Sequence, residues 1–300
     1  MSEKFQDISY RTHSNHYETV NEELGATWTK KDTVDYWRHE RMYRCIAPII
    51  DSHKGAKWLT IGDGRYGTDA NYILSKGEDN VIATDIGDTY LKTAKEKGFI
   101  KNYQVENAED LSLQDESVDF VLCKESYHHF PRPMIALNEF LRVARKGIIL
   151  IEPRDPNVIS TNYAKLMLRR GAINLLKKFI GKPIYYEYGN YEPVGNYVYT
   201  ISEREIEKVA LGLNYDLVAF KGLNDCYSVG VENELKKDNG KLFQQVNKGI
   251  NDADVRVKMG KAMPGLLVAV IFKEMPSIDC LESLEKEGFM LKKLPKNPYF

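Results

Sequence analysis

Nowhere in the 300 residues do about 18 apolar residues run together, so no membrane span is expected. The opening stretch, MSEKFQDISYRTHSNH, has no apolar core region, and no signal peptide is expected. Cysteine is scarce. Cys45, Cys123, Cys226 and Cys280 lie far apart with no CxxC pair. That excludes a zinc site or disulfide frame and points to reduced, mostly buried thiols of a cytoplasmic chain. Neither sign of charge dominates, since 42 Lys and Arg face 43 Asp and Glu for a net charge of −1. This balance excludes a basic nucleic-acid coat and an acidic disordered tail. There is no internal repeat, no low-complexity tract, and no His/Asp/Glu set with metal-ligand spacing.

What is present is ordinary globular material, 43% hydrophobic and 28% charged. That suffices for one large core or two modest ones, and the length alone suggests about two domains. From Val34 the apolar positions Val34, Trp37, Met42, Cys45, Ile46, Ile49 and Ile50 recur at helical spacing, with Asp32 or Thr33 as cap and Gly55 as stop. After Lys57 the pattern changes to short apolar runs alternating with helices. Strands are expected at 58–61, 81–84, 103–106, 118–123 and 148–151. Helices are expected at 68–76, at 89–97, and from Pro133 to Arg145–Gly147. Such alternation predicts right-handed crossovers and a parallel, doubly wound α/β sheet. Beyond it come Lys- and Arg-rich helix at 158–182, a tyrosine-rich stretch at 184–200, a helix capped by Ser202 with Glu205 completing a capping box, and strands at 215–220 and 266–272.

Gly62-Asp63-Gly64-Arg65-Tyr66-Gly67 follows the first strand and opens a helix. Glycines there allow a sharp turn and close approach of a ligand. Asp85 ends the next strand, 21 positions after Gly64, where a carboxylate is placed to accept both hydroxyls of a ribose. Dinucleotides and S-adenosylmethionine both use this arrangement.

Further motifs separate the two. Asn107-Ala108-Glu109-Asp110-Leu111, Ser117-Val118-Asp119-Phe120-Val121-Leu122, Ser126-Tyr127-His128-His129-Phe130, and Arg142-Val143-Ala144-Arg145-Lys146-Gly147 running to Glu152-Pro153 follow in order. Over residues 57–153 the chain closely resembles the class I S-adenosylmethionine-dependent methyltransferases, above all their small-molecule group that includes ubiquinone-pathway enzymes. The resemblance implies a Rossmann-like sheet of seven strands and S-adenosylmethionine as cofactor. It implies that Gly62, Gly64 and Gly67 line the methionine and ribose, Asp85 binds the ribose hydroxyls and Ile86 packs on the adenine. Asn107, Ala108 and Glu109 would border the adenine edge, with Lys124 beside the methionine end. Two positions depart from the family pattern. Thr60 stands where an acid is common, leaving Asp63 to meet the methionine ammonium, and Asn107 stands where an acid is frequent.

The implied reaction is methyl transfer, for which an alcohol acceptor requires a general base. His128 and His129, in the loop after the fourth strand, are the candidates. Glu125 is placed to orient a histidine or bind a substrate hydroxyl, and Glu152 and Asp155 flank the fifth strand's end, where they too are placed to face the acceptor. Expected domains are an N-terminal helical lid (1–56), a cofactor-binding core (57–153), an inserted cap (154–200) and a C-terminal completion of the sheet (201–300). Trp28 and Trp37 either help this lid close over the cofactor or belong to the core. Tyr185, Tyr186, Tyr188, Tyr191, Tyr197 and Tyr199, beside Asn190 and Asn196, suit polar rings, and Lys165, Arg169, Arg170, Lys177, Lys178 and Lys182 suit phosphate. The expected acceptor is a small polar molecule such as a sugar or sugar phosphate of a surface polysaccharide pathway, methylated at a hydroxyl. A nicotinamide-dependent oxidoreductase and a cofactor-binding module without chemistry are the alternatives, followed by RNA or protein methylation.

Overall fold

The computed structural model of the chain describes residues 10–11, 22–156, 175, 179–180 and 197–299. The expected helix over 158–182 with its basic run, Tyr185, Tyr186, Tyr188, Tyr191, Asn190, Asn196 and most of the inserted cap therefore lie outside the described residues.

Eight strands form one sheet: β1 (Trp58–Ile61), β2 (Val81–Asp85), β3 (Asn102–Val105), β4 (Val118–Lys124), β5 (Ala144–Pro153), β6 (Leu217–Leu223), β7 (Leu266–Phe272) and β8 (Met290–Lys293). Their spatial order is β3-β2-β1-β4-β5-β7-β6-β8. The first five run parallel, while β7 is antiparallel to both β5 and β6. An eighth strand on the β6 edge extends the seven expected. Strand β7 shows why the sheet is buried on both sides. Leu266, Val268, Val270 and Phe272 join the core of one face, and Leu267, Ala269 and Ile271 that of the other.

Among the described residues, helices run as α1 (Glu22–Thr27), α2 (Val34–Arg44), α3 (Ala47–Ser52), α4 (Thr68–Ser75), α5 (Thr89–Glu96), α6 (Pro133–Val143), α7 (Glu203–Gly212), α8 (Lys241–Lys258) and α9 (Ile278–Lys286). Thr33 caps α2 by accepting from the Tyr36 amide, and Ser202 caps α7 by accepting from Glu205. The single helix expected from Val34 to Gly55 is two. Pro48 sits in the first turn of α3, where its missing N–H and fixed φ suit a fresh start better than continuation. Helix α6 ends at Val143, before Arg145, because residues 144–147 are drawn into β5 and pair with β4 and β7. A Cβ at Gly147 would come within 2.7 Å of the Ile271 carbonyl, so the strands meet closely there.

The connection between β6 and β7 carries α8, which the sequence pattern did not reveal. Only Val246 and Ile250 of its 18 residues are buried, so its apolar stripe is thin. Those two side chains pack with Val34 and Val231, while Trp37 of α2 meets Phe243 edge-on. The α2 backbone is tied to the same connection by Val34 N–H to Glu234 and Asp35 N–H to Val231. An Arg38–Asp225 ion pair adds a third link. Helix α2 is thus held firmly against the sheet's carboxyl edge. All four cysteines are free thiols, three of them buried.

Candidate functional site

The strand order reverses between β1 and β4, and open α/β sheets bind ligands at the carboxyl ends of strands beside such a reversal. The turn from Gly62 to Gly67 lies there. Gly62, Tyr66 and Gly67 all take left-handed backbone, at φ 68°, 61° and 66°. A Cβ on Gly62 would stand 2.4 Å from Ser126, and one on Gly67 2.7 Å from Ile100. Gly62→Ala is therefore expected to cost roughly 2–4 kcal/mol, strain and overlap together. Chemical denaturation of the variant checks it, and an unchanged midpoint would contradict the close approach.

Asp63 is turned inward. Its carboxylate accepts from the amides of Asp69 and Ala70, at 3.0 and 2.9 Å, and from the Thr60 hydroxyl at 2.7 Å. It caps α4 from inside the turn. Burial and the neighbouring Asp69 push its pKa well above the ordinary carboxylate value. The expected contact of Asp63 with a ligand ammonium is not what this arrangement offers, because both oxygens serve the turn itself.

Asp85 does face the turn. Its two oxygens accept from the amides of Gly64 (3.0 Å) and Gly87 (3.1 Å). Burial pushes its pKa up to about 6 against these backbone bonds. Ile86 beside it is half-buried. On the far side, the Asn107 side chain accepts from the Glu109 amide at 3.0 Å, forming a local turn. Ala108 is buried. The Glu109 carboxylate accepts from the Tyr10 hydroxyl and from the Arg132 amide and Nε, each at 2.6 Å. Glu109 thus fastens its neighbours.

At the end of β4, Lys124 is buried, with its ammonium 3.5 Å from Asp69, 3.4 Å from Glu125 and 3.2 Å from His39 Nδ1. Burial works against its charge, yet Asp69 and Glu125 prevail and raise its pKa. Glu125 has left-handed backbone at φ 51°, which points to a position held by its surroundings. Burial opposes its charged form too, but Lys124 and His39 override it and hold its pKa well below the usual range. His39 Nδ1 lies 3.2 Å from Glu125, and Arg65 reaches His39 Nε2 (3.3 Å) and Asp35 (3.1 Å). Trp28, Asp35, His39, Tyr43, Arg65 and Lys124 are among the residues lining a cleft of about 350 Å³, partly open to solvent. Neither His39 nor Asp35 is among the site residues that the sequence suggests. No local motif marks them, and only α2's packing delivers them to the site.

Next to this cluster, Glu152 of β5 is fully buried. One oxygen accepts from the amides of Ser126 (3.0 Å) and Tyr127 (2.9 Å), and the other lies 2.6 Å from His128 Nδ1. A carboxylate only accepts, so Nδ1 carries the proton in this pair. Glu152 was expected to face an acceptor; it stands behind His128 instead. The His128 and His129 rings lie 3.9 Å apart, tilted at 44°. Among the described residues no group of three or more His, Cys, Asp or Glu is placed to hold a metal. No helix among them is long and apolar enough to cross a membrane.

Residues 59–151 match the family model described as a methyltransferase domain. A search of curated proteins finds no match. Among solved structures, the chain is similar to a Thermotoga maritima S-adenosylmethionine-dependent methyltransferase described as a possible histamine N-methyltransferase. That pair shows 14% identity over 90% of this chain and 100% of the other, with a TM-score of 0.44. A Methanosarcina mazei S-adenosylmethionine-dependent methyltransferase shows 18% identity over 76% and 98%, TM-score 0.45. The magnesium protoporphyrin IX methyltransferase of Synechocystis, with S-adenosylhomocysteine bound, shows 12% over 78% and 82%, TM-score 0.42.

Residues 59–151 thus carry an S-adenosylmethionine-dependent methyltransferase domain, and the reversal of strand order falls inside that segment. The residues present fit the cofactor. The turn approaches Ser126 too closely for a side chain at Gly62, and Asp85 offers a buried carboxylate beside the Gly64 amide. When bound, the cofactor supplies an electrophilic methyl group on a sulfonium.

Proposed function

We propose that the acceptor is the hydroxyl of a small polar molecule, a sugar or sugar phosphate of the kind used in surface polysaccharide assembly, and that the enzyme works in the cytoplasm. The observation that carries the hydroxyl assignment is the 2.6 Å contact between His128 Nδ1 and the buried Glu152. A neutral amine or a thiolate needs alignment alone, whereas a hydroxyl must lose a proton as the methyl group arrives. An imidazole oriented through Nδ1 by a buried carboxylate is suited to take that proton at Nε2. In this reading His128 is the base, His129 shapes the loop, and Asp85 receives the ribose hydroxyls. Gly62, Gly64 and Gly67 give the cofactor close approach, and Ile86, Asn107 and Ala108 border the adenine. Residues 1–56 cover the cofactor. The polar-ring character rests on the tyrosines and basic residues of 158–200 in the sequence.

Labelled methyl transfer to a panel of sugars, nucleotide sugars, phenols, quinones and amines tests the proposal. Label is expected in the sugar fractions. Label confined to amines would remove the base from the mechanism, and label confined to lipophilic phenols or quinones would remove the sugar.

A further inference from the structure

The charged groups around the cleft are linked in a row, with His39 between Arg65 and Glu125. Asp225 pairs with Arg38, and Arg38 with Asp35 at 2.9 Å. Asp35 binds Arg65 at 3.1 Å, and Arg65 binds His39 at 3.3 Å. His39 meets Glu125 at 3.2 Å, and Lys124 stands between Glu125 and Asp69. The row begins in the β6–β7 connection, crosses α2 and ends at the glycine turn and the tip of β4. A cleft lined by cations alone would select an anion. This one offers both signs a few ångströms apart, and it is burial that makes the pairing of each charge necessary.

Two members of the row keep reach to spare. The Arg65 side chain is 37% exposed and its guanidinium lies over Trp28 at 4.5 Å. The Glu125 side chain is 29% exposed and engages His39 and Lys124 through one oxygen, Oε2. Glu125 stands at Nδ1 of His39 and Arg65 at its Nε2, so a ligand that presents an ammonium and a carboxylate on adjacent atoms can meet one on each side of the ring. The amino-acid end of S-adenosylmethionine is such a group. With the ribose on Asp85, as proposed above, the nucleoside lies on the β2 side of the turn and leaves the β4 side, where the row lies, for the other end. Asp63 and Thr60 are occupied with each other and with the α4 amides, and so leave this end of the ligand to other residues.

We infer that this row is the cradle for the zwitterionic end of the cofactor, with Glu125 taking the α-ammonium and Arg65 the α-carboxylate, and His39 as the positioning residue between them. The reading reassigns Glu125 from acceptor chemistry to cofactor binding. It rests on the methyltransferase assignment and is independent of which acceptor is used.

Calorimetric titration with two nucleosides tests it without turnover. S-Adenosylhomocysteine carries the amino-acid end; 5′-methylthioadenosine keeps the nucleoside and thioether and lacks it. Glu125→Gln and Arg65→Gln are each expected to weaken S-adenosylhomocysteine binding about 10- to 100-fold, the range of a lost charged hydrogen bond, and to leave 5′-methylthioadenosine within about twofold. A parallel loss for both ligands, or no loss for either, would overturn the inference. Should a variant fail to fold, the wild-type protein decides. It is expected to prefer S-adenosylhomocysteine by at least about 10-fold, with the preference shrinking in 0.5 M salt. Equal affinities, or a preference indifferent to salt, would refute the cradle. No acceptor enters these measurements, so a failed sugar panel and a failed cradle are separate outcomes.

Discussion

Asp85→Asn is expected to lower S-adenosylhomocysteine affinity about 100-fold or more while leaving the apo protein folded. A ribose diol donates two hydrogen bonds to one carboxylate, and hydrogen bonds to charged groups are worth roughly 1.5–3 kcal/mol each. An amide keeps one good acceptor and turns a donor toward the second hydroxyl. The pH dependence follows from the same burial. Asp85 ionises at about 6 in the fold against an ordinary 3.8. Its protonated form therefore contributes stability that is fully present below 3.8 and lost as the pH rises through 6, about 3 kcal/mol in all. Above that range the apo protein carries a buried carboxylate eased only by the Gly64 and Gly87 amides. Cofactor affinity runs the opposite way and is expected to fall below pH 6, where the acceptor becomes protonated. Urea denaturation of wild type and Asp85→Asn from pH 4 to 8 measures the first effect. A flatter stability profile in the variant is expected; identical profiles would show that Asp85 is not the titrating group. Titration of S-adenosylhomocysteine across the same range measures the second.

Glu152→Gln is expected to reduce kcat about 10²- to 10⁴-fold with S-adenosylhomocysteine affinity unchanged. The glutamine oxygen still accepts from the Ser126 and Tyr127 amides, so the loop survives. Its NH2 then faces His128 Nδ1, which must become an acceptor, and the ring proton moves to Nε2. An imidazole with its proton on Nε2 has no lone pair there to receive one from a hydroxyl. His128→Ala is expected to match it in rate. Glu152→Ala is the contrasting variant. It strands two buried amides at about 1–3 kcal/mol each and is expected to lower the unfolding midpoint as well. If Glu152→Gln turns over like wild type, His128 is scaffold. An amine or thiolate acceptor then becomes the better reading.

These two positions differ in how visible they are along the chain. Asp85 is legible because its neighbours are local. A strand ends there, Gly64 of the glycine turn lies 21 positions earlier, and the two strands are adjacent and parallel. The Glu152–His128 contact joins residues 24 apart, on β5 and on the loop after β4, and it depends on the register of those strands. From sequence, Glu152 and His128 were both candidates for the acceptor's side. The side each presents is decided by which one β5 buries. His39 is more distant still, 85 positions from Lys124, on a helix whose pattern announces only an apolar face.

The sequence by itself determined the class of fold and the kind of cofactor. Short apolar runs, helix stops and the turn at Gly62–Gly67 act through backbone conformation and side-chain alternation, and these are properties of neighbouring residues. The placement of β7 between β5 and β6, the thinly buried α8, and the row of charges from Asp225 to Asp69 were decided by tertiary structure alone. The physical reason is that a buried charge is tolerated only beside its opposite. Which opposite charge it meets depends on how elements far apart in the chain pack.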